Sequence, residues 1–185
     1  ITDIRPLSNL VNLCKLNISW NSIQDISPLS NMVNLSRLDV SLNGITDISP
    51  LSNLLNLSYL DIGSNSIADI SPISNLSNLT ELNLGDNQVS DISALSSLSK
   101  LVNLTISSDF INDITPLSNL TELNVLFMFG SISNISPLLD NTGLGTGDKI
   151  YFGSDQLDNY SSTVVVPELT SRGVSFYHEG WALLE

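Results

Sequence analysis

The amino-acid sequence predicts an α/β repeat solenoid, a right-handed coil with a parallel concave β-sheet, short 3-10 or turn segments on the convex side, and a C-terminal helix-strand cap. Three observations carry this. Aligned on Ile1, Ile23, Ile45, Ile67, Val89 and Ile111, the chain repeats every 22 residues, and the next equivalent, Ile132, arrives one residue early. A fixed period of this size is the signature of stacked units that bury one continuous core. The second half of each period alternates apolar and polar residues as a short strand does, and the first half carries a recurrent turn close to Asp-Ile-Ser-Pro.

The strand comes from L-x-x-L-x-L-x-x-N. Its copies are Leu13, Leu16, Ile18 and Asn21, then Leu35, Leu38, Val40 and Asn43, then Leu57, Leu60, Ile62 and Asn65, then Leu79, Leu82, Leu84 and Asn87. A fifth copy ends in Asp109 and a sixth, Leu123, Leu126 and Met128, ends in Ser131. Leu16 and Ile18 are two residues apart, so both face inward while Lys15, Asn17 and Ser19 face outward. Stacked in parallel, successive strands lie about 4.8 Å apart. The Asn that closes each strand sits where the chain turns away, and its amide suits backbone groups of its own and the adjacent turn.

The return leg comes from D-I-S-P-L-S-N-L. Asp3, Asp25, Asp47, Asp69, Asp91 and Asp113 stand three residues before a Pro, except that Ala94 replaces it in the fifth copy. Asp caps the backbone N–H groups that follow, and Pro presets φ for a short turn or 3-10 segment. A row of single carboxylates lacks the six to eight convergent oxygens that calcium takes. The row is therefore structural, and no metal or cofactor is expected.

The remainder departs from the template. Residues 132–157 read as a divergent repeat in which Ile150, Phe152, Asp155 and Leu157 recover the strand and turn phase behind a glycine-rich loop. Gly143, Gly145 and Gly147 are not a phosphate loop, because Asp148 stands where G-x-G-x-x-G needs its last Gly. Residues 158–177 read as a cap, with a short helix around Pro167 to Arg172 ended by Gly173, a last strand from Val174 to Tyr177, and Val164, Val165, Val166 and Leu169 covering the core. Residues 178–185 have no repeat phase and read as a tail or linker, with His178 a surface residue. Cys14, the single cysteine, reads as a small residue near a strand start.

Nineteen Asp and Glu against six Lys and Arg give a net charge of -13, with no basic stripe for phosphates, which excludes nucleic acid and anionic membrane surfaces. No apolar run approaches the roughly 18 residues of a membrane span. No signal segment precedes Ile1, so the chain is expected to be a mature or excised piece.

The combined pattern I-T-D-I-S-P-L-S-N-L-x-N-L-x-x-L-x-L-x-x-N resembles the 22-residue leucine-rich repeats of internalin-like bacterial surface proteins. NTGLGTGDKIYF and VPELTSRGVSFY are similar to closing units of bacterial secreted or envelope leucine-rich repeat proteins. The family's N-terminal helical cap and wall anchor have no counterpart here. The resemblance implies an extracellular or cell-surface location and protein recognition without catalysis.

Outward residues of successive strands define rows on the concave face, the surface solenoids use for binding. The first row is Lys15, Arg37, Tyr59, Glu81, Asn103, Val125 and Lys149; the second is Asn17, Asp39, Asp61, Asn83, Thr105, Phe127 and Tyr151; the third runs from Ser19 through Gly63 and Gly85 to Phe129 and Gly153. In NVLFMFG the outward Val125, Phe127 and Phe129 are apolar as well as the inward residues, beside Tyr151. Apolar clusters of this kind mark interaction sites, provided that the phenylalanines stay accessible rather than packing under the loop or cap. In the middle, Asp39 and Asp61 fall side by side, with Glu81 and Asp86 near and Lys15 and Arg37 flanking. Two carboxylates about 5 Å apart suit a retaining glycosidase in principle. Flat surrounding rows offer no enclosing pocket and most such pairs are simply a solvated face, so a polar recognition surface for a basic or sugar partner is favoured over catalysis. The expected function is thus non-enzymatic recognition of a protein partner, host or envelope, through Tyr59, Asp39, Asp61, Glu81, Val125, Phe127, Phe129 and Tyr151. The alternative is a structural or adhesin element that binds carbohydrate or serves as a rigid spacer.

Overall fold

A computed structural model describes residues 1–108, 110–153 and 157–178. Asp109, Asp155 and the residues after His178, assigned above to a ladder end, a turn and a tail, lie outside the described residues. The strands are β1 (Lys15–Asn17), β2 (Arg37–Asp39), β3 (Tyr59–Asp61), β4 (Glu81–Asn83), β5 (Asn103–Ser107), β6 (Val125–Phe129), β7 (Lys149–Phe152) and β8 (Ser175–His178). They form one parallel sheet in chain order. The register pairs Lys15 with Arg37, Arg37 with Tyr59, and so on to Lys149 with Ser175, so equivalent positions of the repeat become lateral neighbours.

The inward aliphatics fill one core that follows the whole sheet. Leu38, Leu60, Leu82, Leu104, Leu126 and Ile150 line one inner row, and their outward neighbours stay partly exposed. Aliphatic burial of this extent is the main favourable term, at roughly 1.5–3 kcal/mol per side chain.

The asparagine ladder closes each strand. In Asn43 the Nδ2 donates to the Ile18, Val40 and Ser41 carbonyls at 3.1 Å, and Oδ1 accepts the Ile23 N–H at 2.9 Å. Asn65 and Asn87 repeat this pattern one and two units on. Each amide thereby bonds backbone groups on two successive repeats, and the Ile18, Val40 and Ile62 carbonyls are each shared between two successive ladder asparagines. A second ladder was not read from the sequence: Asn34, Asn56 and Asn78 donate to the Val11, Val33 and Leu55 carbonyls of the preceding repeat at 2.8–3.0 Å.

On the convex side each Asp accepts the N–H two residues on, from Arg5, Ser27, Ser49, Ser71, Ser93 and Thr115, at 2.8–2.9 Å. The fifth copy keeps its 3-10 segment, Ser93–Ser97, with Ala94 in place of Pro, so Asp91 suffices to start the turn. These bonds favour the anion. They hold Asp25, Asp47 and Asp91 below the usual carboxylate range through the backbone N–H first and the hydroxyl next, and Asp113 chiefly through the Thr115 hydroxyl. Asp3 falls to about 2 because the Arg5 guanidinium is its main partner.

The cap differs from expectation in three ways. Its helix starts earlier, with π-turns over Ser161–Val165 running into α1 (Val166–Ser171). The Pro167 ring would clash with the Thr163 carbonyl in a regular α-turn, and a wider turn relieves this. Because of that phase, Val165 and Leu169 are fully buried but Val164 is 41% exposed and Val166 only half-buried. The final strand is Ser175–His178, so His178 belongs to the sheet, edge-on to Phe152 with ring centroids 5.5 Å apart, rather than to a tail. Gly173, at φ 99°, ends the helix in a Schellman motif with Gly173 N–H on the Thr170 carbonyl and Val174 N–H on the Leu169 carbonyl.

The glycine-rich segment is a turn. Asp148 accepts the Gly145 N–H at 2.8 Å and the Asn124 amide at 2.9 Å, and a side chain at Gly143 would collide with the Thr121 carbonyl.

Candidate functional site

The outward rows fall where the repeat places them. Tyr59 pairs laterally with Arg37 and Glu81, Asp61 with Asp39 and Asn83, and Phe127 with Thr105 and Tyr151. All eight residues singled out from the sequence lie on this face. Phe127 and Phe129 are half-buried, neither fully enclosed by the chain, and Val125 is likewise partly exposed.

Two kinds of ladder share the second row. At the N-terminal end the Asn17 amide donates to Asp39 at 2.8 Å, and Ser41 donates to Asp39 through both its N–H and its hydroxyl. Asp61 accepts the Gly63 N–H and the Asn83 amide, each at 3.0 Å. Burial is the largest influence on Asp61 and pushes its carboxyl up, Asp39 adds to the rise, and the two hydrogen bonds oppose it. These carboxylates are thus held by donors of the same face. Asp86 lies beyond the strand, at φ 55°, where the Ser64 and Ser107 hydroxyls bond it, so it does not join the Asp39 and Asp61 pair.

At the C-terminal end the ladder is aromatic. Phe127 stacks on Tyr151 with centroids 4.4 Å apart, and Tyr151 stacks on Tyr177 at 4.6 Å. Phe129 leans against Phe127 at 6.3 Å. The in-register lateral spacing of strands matches the preferred separation of offset rings, so a column of aromatics at one repeat position stacks without distortion.

Nor is the first row flat, as the sequence suggested. Tyr59 rises between two shallow depressions. The N-terminal one, about 200 Å³, is lined by Lys15, Asn17, Arg37, Asp39 and Tyr59. The central one, about 330 Å³, lies between Tyr59 and Phe127, over Glu81, Asn83, Asn103 and Thr105, with Val125 beside them. The Arg37 guanidinium sits 4.0 Å from the Tyr59 ring centroid. Burial, then the Asp61 and Asp39 carboxylates, push the Tyr59 hydroxyl up.

Three further residues, Tyr177, Trp20 and Leu42, are not among those marked out from the sequence. Tyr177 extends the aromatic ladder, and continuing the second row into VSFY would have found it. Trp20 and Leu42 occupy the turn before the ladder asparagine, at φ 57° and 54°, where later copies place Ser64 and Asp86. Trp20 is 79% exposed. All four copies hold this position in the left-handed region, which is costlier for a bulky Trp or Leu than for Ser or Asp.

A family model of leucine-rich repeats in two copies matches residues 11–53, 33–75, 55–97 and 77–119, together more than half of the chain. The chain belongs to the leucine-rich repeat family. Among solved structures it is similar to internalin C2 of Listeria monocytogenes, at 39% identity and TM-score 0.68 over 69% of this chain and 57% of that one. It is similar also to an internalin (inlF) of the same organism, at 33% identity and TM-score 0.69 over 96% of this chain and 64% of that one. A leucine-rich repeat protein of Leptospira interrogans shares the fold, at 20% identity and TM-score 0.79 over 92% of this chain and 44% of that one. This leucine-rich repeat chain is internalin-like, and it spans less than two thirds of the length of those internalins. A sequence search of curated proteins returns no match. Among the described residues no helix is long and apolar enough to cross a membrane.

Proposed function

We propose that this chain is a non-enzymatic recognition module that binds a protein partner, host or envelope, on its concave face, as part of a surface or secreted bacterial protein. The observation that carries the proposal is the accessible aromatic ladder: Phe127 and Tyr151, extended by Tyr177, on a row that elsewhere bears Asn, Asp and Thr. Outward aromatics gain nothing for the core, yet aromatics dominate the centres of protein interfaces. Val125 and Phe129 widen this apolar centre, and Tyr59, Asp39, Asp61 and Glu81 form the polar flank. The location rests on the likeness to internalins.

Carbohydrate recognition at this end is the weaker reading. A sugar ring stacks on an aromatic face, and both faces of Tyr151 already carry another ring. The ring edges of the ladder, with Val125 and Phe129 beside them, suit apolar and aromatic side chains.

The test is affinity capture from host-surface and bacterial-envelope extracts, followed by titration of the purified partner. Phe127→Ser with Phe129→Ser is expected to weaken binding tenfold or more, about 1.4 kcal/mol, with the fold retained by circular dichroism. A partner bound equally well by the double variant overturns this site.

A further inference from the structure

We infer that the central depression, between Tyr59 and Phe127, takes a cationic side chain of the protein partner, an arginine or lysine, with Glu81 as its counter-ion. The inference rests on the recognition reading above and specifies the chemistry of one contact within it.

Glu81 differs from the other carboxylates of the face. Asp39 and Asp61 are held by Asn17, Ser41, Gly63 and Asn83. Glu81 is partly buried, yet among the described residues its carboxylate accepts no hydrogen bond and forms no ion pair. Among the described residues it is also the only charged one lining the depression. Of the first-row cations, Lys15 and Arg37 line the other depression, beyond Tyr59, and Lys149 lies three strands from Glu81, past Val125, outside the lining of this one. A partner that closes over Glu81 with an apolar group would bury an uncompensated carboxylate, which costs several kcal/mol. An anionic group would be repelled outright. A cation restores the balance.

The walls favour the same occupant. Tyr59 and Phe127 stand three strands apart, about 14 Å at the usual strand spacing, which admits an extended side chain between them. Tyr59 bounds both depressions, and Arg37 lies over the ring on the N-terminal side. Tyr59 thus borders the central depression on the side of Glu81, its lateral neighbour, where a cation paired with Glu81 comes within reach of the ring for a second cation–π contact. The Asn103 amide oxygen, and the second lone pair of the Asn83 Oδ1 that already accepts the Gly85 N–H, supply acceptors for further donors of a guanidinium or ammonium group.

The test selects binders for the intact chain from a phage-displayed library of random twelve-residue peptides, then titrates the synthetic peptides. The expected result is binders that carry an Arg or Lys, lose tenfold or more in affinity when that residue is replaced by neutral citrulline or Gln, and lose as much against Glu81→Gln. The two losses should not add when combined, and Phe127→Ser should also weaken binding. Urea unfolding of Glu81→Gln controls for the fold. Peptides that weaken against Phe127→Ser but stay within twofold against both Glu81→Gln and the neutral peptide overturn the cation assignment and leave concave-face recognition standing. Recovery of no binder, or of binders indifferent to every one of these changes, overturns both.

Discussion

The second outward row is polar at one end and aromatic at the other, on a backbone that does not change. Asn17, Asp39, Asp61 and Asn83 bond one another and their own turns, whereas Phe127, Tyr151 and Tyr177 stack ring on ring. The parallel register brings like positions together in both halves, so each half solves the same lateral problem with a different interaction. In the polar half most hydrogen-bonding capacity is spent within the face. The aromatic half leaves ring edges and apolar area open to a partner, and the border between the two is the depression that holds the unengaged Glu81. A solenoid of this kind thus separates what holds it together, inside, from what it presents, outside.

That separation fails first if the inner ladder is dispensable. Asn87 is buried and makes four hydrogen bonds that join two repeats. Asn87→Ala is expected to cost about 2–4 kcal/mol in urea unfolding, through backbone groups left unpaired in the interior. A loss no greater than that of an outward residue would show that the face, not the ladder, ties the units. Next comes the contrast between the halves. Tyr151→Ser removes two stacking contacts and is expected to cost about 1–3 kcal/mol. Asn83→Ser, on the polar half, should cost about 1 kcal/mol. Equal costs would mean that the aromatic column adds nothing beyond its area.

The smallest effect distinguishes the convex from the concave carboxylates. Asp3, Asp25, Asp47, Asp91 and Asp113 are depressed in the folded state, so their contribution is present above the ordinary carboxylate value and is lost as pH falls through their lowered values. Asp61 is raised, so its effect has the opposite sign: the folded state holds its proton more tightly, and stability falls as pH rises from the ordinary value through the raised one. Denaturation midpoints across the acid range should drop at the acid end in the parent chain, and Asp61→Asn should flatten only the upper part of that profile. An unchanged profile in Asp61→Asn would remove burial as the governing influence on that residue.

Nearly all of the fold was legible because the 22-residue period places one chemical demand at each position. Leu60 and Ile62 had to face inward, Asn65 had to serve two turns, and Asp47 had to start a 3-10 segment; the structure has each of these. The cap was less legible, since Val164, Val165 and Val166 are chemically alike and only the π-turn phase decides that Val165 is the one buried. For the candidate site, periodicity sufficed to put Val125, Phe127, Phe129 and Tyr151 on one face. It missed Trp20 and Leu42, because a turn position filled by Ser64 and Asp86 in other copies gives no hint of what an apolar residue does there.

By itself the sequence determined the coil, the register and the identity of the outward rows, because lateral neighbours in a solenoid are simply residues one period apart. Only the tertiary structure decided which outward groups are engaged. Whether Asp61 is satisfied and Glu81 is not depends on side-chain reach across 3.0 Å to a donor, a distance that spacing along the chain does not encode. The same holds for the wall that Tyr59 makes between two depressions, which arises from the volume of one ring beside smaller neighbours rather than from any motif.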